Sequence, residues 1–185
     1  MVVDVVTLAG SPAPRSTAAA LLEHSKTILE RHALVVKSMS VRDIPPEELI
    51  GQAQFSPAVR HYSQLIRQAG ALIVATPVYK DTYAELLRAW LNLLPTGILR
   101  NTLVLPIITG SSARTEAQIY ADLATRFRQL GAKHIIPSLF AAEQQIQLLG
   151  SKLPPRIHRS LEERLGLALD DIAQQLGVLP LAAVA

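Results

Sequence analysis

Short apolar runs alternate with amphipathic stretches along the whole chain. Residues 2–9, 34–39, 71–75, 101–108 and 133–140 are apolar runs of strand length. Continuous runs of this kind mark strands buried on both faces. Between them, apolar residues recur at helical spacing. Leu21, Leu22, Ile28 and Leu29 form one such face, and Val59, Tyr62, Leu65 and Ile66 a second. Tyr83, Leu86, Leu87, Trp90, Leu91 and Leu94 form a third, and Ile119, Leu123, Phe127 and Leu130 a fourth. A last amphipathic helix is expected over 157–176.

Turn and cap residues punctuate this pattern. Ser56-Pro57 reads as an N-cap followed by Pro at the first helical position. Gly70 closes the helix that follows, and Gly131 is a good C′ residue for the fourth. Thr76-Pro77 is expected to stop the third strand, because Pro has no N–H to donate. Pro106 lies inside the fourth run, so a bulge or an early end to pairing is expected there. Residues 41–51 read as irregular, 141–155 as a partly ordered loop, and 176–185 as a frayed tail.

Strands alternating with helices across short loops predict a parallel sheet covered on both faces, an α/β fold. Five strands suggest a flavodoxin-like three-layer sandwich in the order 2-1-3-4-5, with its switch point between strands one and three. No internal repeat or long linker interrupts residues 1–185, so a single domain is expected.

Composition narrows the function. Apolar residues are 49% and charged residues 18% of the 185, which excludes a disordered chain. The absence of Cys excludes a thiolate nucleophile and Cys-ligated metal. The net charge of +3 comes from scattered single residues, which argues against nucleic acid and suits small anionic ligands. No basic leader precedes Val6 and no apolar run is long enough to span a bilayer, so a soluble, cytoplasmic protein without a membrane partner is expected. The five His residues show no metal-ligand spacing and are expected at the surface or at helix ends. No metal site is expected.

In the expected topology three loops meet at one sheet edge. The first, residues 10–17, offers the hydroxyls of Ser11, Ser16 and Thr17, the charge of Arg15, and backbone N–H groups at a helix start. Such an end binds phosphate. It matches neither a Walker loop nor the dinucleotide G-x-G-x-x-G. Its plainer reading is an ordinary cap at Ser16 with a solvated Arg15. The second loop carries Tyr79 and Lys80, suited to flanking a flat heterocycle, or more plainly to packing on the sheet edge. The third, residues 109–112, has a Gly that lets backbone approach a ligand, or forms a plain turn. Taken together they describe a mononucleotide site, with FMN as the natural occupant of this topology.

The stretches VTLAGSPAPRS, ALIVATPVYK and LVLPIITG, with a helix ending LLP between the last two, resemble the NADPH-dependent FMN reductases. The likeness covers roughly residues 2–145 and is strongest to the small reductases of sulfonate-utilisation systems. The resemblance implies phosphate contacts at Ser11, Arg15, Ser16 and Thr17. It implies ring contacts at Pro77, Val78, Tyr79, Lys80, Gly110 and Ser111. It implies hydride transfer from the C4 of NADPH to N5 of FMN, a step that needs no side-chain nucleophile, acid or base. It further implies a homodimer or homotetramer, with the helices bearing Leu86, Leu87, Trp90 and Leu91, and Tyr120, Leu123 and Phe127, as the surfaces. Some relatives place a Tyr above the flavin in a helix locally widened to π-type. Tyr120 falls one residue short of that place, and one residue turns a helical side chain by about 100°, so it is not assigned.

Two enzymatic readings follow. One releases reduced FMN to a flavin-dependent monooxygenase, in sulfonate or sulfur assimilation. The other keeps FMN bound and reduces a quinone, azo dye or metal ion. A third, a flavodoxin-like electron carrier, fits poorly with a basic chain.

Overall fold

The computed structural model describes residues 3–51, 56–150 and 153–178. Its parallel strands are β1 (Val5–Ala9), β2 (Val36–Ser40), β3 (Ala71–Tyr79) and β5 (Leu103–Gly110). A fifth line of pairing is split into β6 (His134–Ile135) and β7 (Leu139–Ala142), and β4 (Thr82–Tyr83) folds back on β3 as a hairpin. The order β2-β1-β3-β5-β6 is the flavodoxin-like order expected from the pattern of runs.

Alternation along the strands builds two cores. Val5, Ala71, Ile73, Ala75, Leu105 and Ile107 face one side, under α1 (Thr17–Arg31) and α6 (Arg159–Gln175). Val6, Leu8, Leu72, Val74, Val104 and Ile108 face the other. That side is covered by α3 (Pro57–Gln68), α4 (Glu85–Leu93) and α5 (Glu116–Gln129). The remaining elements are the short α2 (Pro46–Ile50) and a two-stranded pair, β8 (Ile146–Gln147) with β9 (Arg156–Ile157). So 41–51 holds a 3-10 turn and a short helix, and the partly ordered loop expected from 141 carries strand and 3-10 structure as far as Gln147.

Two prolines sit inside strands, each where its missing N–H costs nothing. Gly10 donates to the Ala75 carbonyl, so Ala75 faces β1. Pro77, two residues on, has its nitrogen on the same side, past the end of β1 at Ala9. Hence Pro77 does not stop the strand, which runs on to Tyr79. In β5, Ile136 donates to the Val104 carbonyl, so Val104 and Pro106 face the outer strand. The ladder there is interrupted between Ile135 and Leu139, while pairing with β3 continues from Leu103 to Thr109. The expected break in pairing lies in the neighbour, and β5 runs on through Thr109 and Gly110.

Helix ends follow the caps. Ser56 accepts from the Val59 N–H with Pro57 at the first position. The last helix begins at Arg159, two residues later than expected, because His158 accepts from the Ser160 N–H. His32 is the buried C-cap of α1 and contacts Asp170 on α6 at 3.0 Å. His24 contacts Glu162 on the same helix at 3.3 Å. Leu176 closes α6, its N–H on the Ile172 carbonyl and its side chain against the core; residues 179–185 lie outside the described residues. No helix among the described residues is long and apolar enough to cross a membrane.

Candidate functional site

The chain leaves β1 by a tight turn. A Cβ on Gly10 would lie 2.9 Å from Leu87 Cδ2 and 3.1 Å from the Ala75 carbonyl, so only glycine lets the turn press against β3 and α4. Ser11 follows, buried, its Oγ accepting from the Ala13 N–H at 3.1 Å. Ser16, in extended geometry, caps α1 by accepting from the Ala19 N–H at 3.1 Å. Among the described residues, the N–H groups of Arg15, Ser16, Thr17 and Ala18 have no acceptor. The first turn of α1 holds no acidic residue. A row of free donors at the positive end of a 15-residue helix, with hydroxyls beside it, fits a phosphate group.

The second wall is a hairpin. Lys80 and Asp81 have φ of 46° and 65°, the two consecutive left-handed residues of a type I′ turn. Neither is glycine, so the turn holds backbone strain. Several contacts brace it. Arg88 donates to Thr82 Oγ1 at 2.9 Å and stacks over the Tyr83 ring at 4.9 Å, while Thr76 Oγ1 accepts from the Ala84 N–H. Tyr83 is buried, which pushes its phenol above the ordinary value, with nearby Arg88 opposing that rise.

The third wall begins at Gly110, where a Cβ would press to 3.3 Å of Val78 Cγ2. Ser112 Oγ then accepts from the Arg114 N–H and holds a 3-10 turn over Ala113–Thr115. Between hairpin and turn lies a cleft of about 390 Å³ lined by Val78, Lys80, Asp81, Ser111, Ser112, Arg114 and Thr115. Thr17 Oγ1 meets Thr109 Oγ1 at 3.3 Å, so the start of α1 is tied to the strand that delivers the cleft's far wall.

The residues singled out from sequence thus divide. Ser11, Ser16 and Thr17 gather at the start of α1, and Val78, Lys80 and Ser111 line the cleft. Gly110 packs behind Val78. Pro77 is buried within β3. Tyr79 is exposed and does not line the cleft, because alternation turns it away from the side Val78 faces. Arg15 is exposed and lines a separate cavity of about 330 Å³ with Ser16, Glu23 and Leu153. Asp81, Ser112, Arg114 and Thr115 join the cleft beyond the positions that the family resemblance matched. The sequence places Asp81 in the second loop and Ser112 in the third, and offers Arg114, with Arg15 and Lys80, as a basic residue for a phosphate near the site. Tyr120 is half-buried in α5, which is α-helical throughout. Leu87, Trp90, Leu91, Leu123 and Phe127 are spent in the core, which leaves Leu86 and Tyr120 half-buried at those faces. No metal-holding group of His, Cys, Asp or Glu occurs among the described residues.

The chain is similar to known proteins in both sequence and fold. The family model described as NADPH-dependent FMN reductase matches residues 3–147. An FMN reductase (NADPH) of Pseudomonas putida is 37% identical over 166 residues, covering 90% of this chain and 84% of that one. One of the same name from Escherichia coli is 33% identical over 172 residues, covering 93% and 89%. Among solved structures, the apo form of an NADH:FMN oxidoreductase superposes with a TM-score of 0.81 at 26% identity, covering 98% of this chain and 92% of that one.

Proposed function

Because the chain belongs to the NADPH-dependent FMN reductase family, we propose that its three carboxyl-edge loops hold FMN for reduction by NADPH. The enzyme is an oxidoreductase, and the bound pair supplies the chemistry, a hydride passing from the nicotinamide to the flavin. The protein's own task is to bind, orient and keep water from the two rings.

One observation carries the reading. A row of unpartnered N–H groups at the start of α1 is tied, through Thr17 and Thr109, to an open cleft between a braced hairpin and a capped turn. In this reading Ser11, Ser16 and Thr17 receive the FMN phosphate, with Arg15 at its outer side. Val78, Lys80 and Ser111 face the ring, and Gly110 lets Val78 pack close against it. Pro77 supports that wall from within the strand, and Tyr79 lies on the strand's other side, exposed outside the cleft.

Reduced FMN then leaves for a flavin-dependent monooxygenase, in a sulfonate or sulfur assimilation route in the cytoplasm. Two or four copies assemble through the half-buried margins of α4 and α5. The test is a fluorescence titration with FMN, followed by NADPH oxidation at varied FMN. Quenching that saturates, and a rate that rises with added FMN to a plateau, are expected. A protein that neither quenches FMN nor oxidises NADPH in its presence refutes the reading. Size-exclusion chromatography with light scattering tests the assembly, which a monomer at every concentration would exclude.

A further inference from the structure

The cleft carries more positive charge than a neutral ring needs. Lys80 stands on one rim and Arg114 on the other, against a single acidic residue, Asp81. Both cations are exposed, and the ion pairs found among the described residues all lie elsewhere. Glu116, two residues beyond Arg114, accepts from Ser138 Oγ at 2.9 Å instead of turning toward the guanidinium. The rim is also built to hold its shape. The Arg114 N–H is fixed on Ser112 Oγ, and Lys80 is presented by a strained two-residue turn. Unpaired cations at the mouth of a cleft concentrate an anion there.

On the reading above, the FMN phosphate has its own donors at α1, away from this rim. The second ligand must lay its nicotinamide on the ring inside the cleft, so its phosphates leave through the mouth. We propose that Arg114 holds a phosphate group of the dinucleotide reductant, with Lys80 facing it across the opening. Arg15, which lines another cavity with Glu23, is set apart from this role. The phosphate is either the 2′-phosphate of NADPH or the diphosphate that NADPH and NADH share, and one experiment separates these sources.

Arg114→Ala and Arg114→Lys are compared with the parent in steady-state assays with NADPH and with NADH. Direct titration of the FMN-loaded proteins with NADP+ and NAD+ by calorimetry accompanies them. Loss of a charge-assisted contact raises KM by about tenfold or more, with kcat falling far less and the FMN Kd unmoved. Arg114→Lys recovers part of the loss. A rise confined to NADPH and NADP+ identifies the 2′-phosphate, and an equal rise for both pairs identifies the diphosphate. Unchanged KM for both reductants overturns the proposal, as does an FMN Kd that weakens as much as KM rises. A parent protein that binds no FMN instead overturns the FMN reductase reading beneath it.

Discussion

Ser16 caps α1 and, in the proposed reading, also holds the FMN phosphate, two roles that substitution can separate. Its Oγ accepts from the Ala19 N–H, which caps α1, and its own O–H remains free to donate to a phosphate oxygen. Loss of a Ser cap to Ala costs about 1 kcal/mol, whereas Gly at the same position costs only a few tenths. Helix α1 stays formed in both cases, because Ala18, Leu21, Leu22 and Leu29 are buried beneath it. In a chain of this size a loss of ~1 kcal/mol lowers Tm by about 2–4 °C. Ser16→Ala should therefore melt a few degrees early and Ser16→Gly close to the parent. The phosphate contact follows a different order. Both variants lack the donor, and a hydrogen bond to a charged group contributes roughly 1.5–3 kcal/mol. Both should therefore bind FMN about 10- to 100-fold more weakly in a fluorescence titration run well below Tm. Thermal melts and titrations on the same preparations read the two roles apart. If both variants hold FMN as the parent does, Ser16 is a cap alone and the phosphate assignment fails. If affinity follows stability, so that Ser16→Gly binds normally, the effect runs through the helix and not through the hydroxyl.

Two other outcomes test the frame around the site. Gly131 has φ of 96°, and a Cβ there would stand 2.8 Å from Gly97 Cα, so Gly131→Ala should cost at least about 1 kcal/mol in urea unfolding. It lies before β6, at the amino-terminal edge of the sheet, so FMN affinity should not change; a variant as stable as its parent refutes the packing argument. The buried Tyr83 phenol is held above its ordinary value near 10. Its share of stability is intact below that pH and is lost as pH rises from there through the raised folded value. Tyr83→Phe should flatten the alkaline fall in stability, and an unchanged slope would show that the phenol is not shielded.

Much of this fold is legible in the pattern of runs because the buried strands have no polar face to confuse them. Val5–Ala9, Ala71–Ala75 and Leu103–Ile108 stand where the apolar runs put them, and Ser16 and Ser56 cap where their side chains suggest. What the pattern misses depends on neighbours. Pro77 and Pro106 read as breaks, yet a missing N–H matters only where a partner carbonyl waits, and that is a property of the adjoining strand. The hairpin at Lys80-Asp81 is hidden because type I′ turns favour Asn-Gly, and this one is held by Arg88 and Thr76 from outside the turn. The start of α1 was readable from its hydroxyls. Arg114 stands among several basic residues that the sequence offers for a phosphate of the reductant, and what sets it apart from Arg15, its place opposite Lys80 across the cleft, arises from the pairing of β3 with β5.

The split beside Pro106 also bears on how the sheet meets other chains. An exposed strand edge is a template on which foreign strands can add. Here that margin offers two residues in β6 and four in β7, with Pro137 between them and no continuous row of donors and acceptors. A proline in β5 thus leaves a flank too broken to be copied. From this side the sheet offers little for stacked, fibre-like growth.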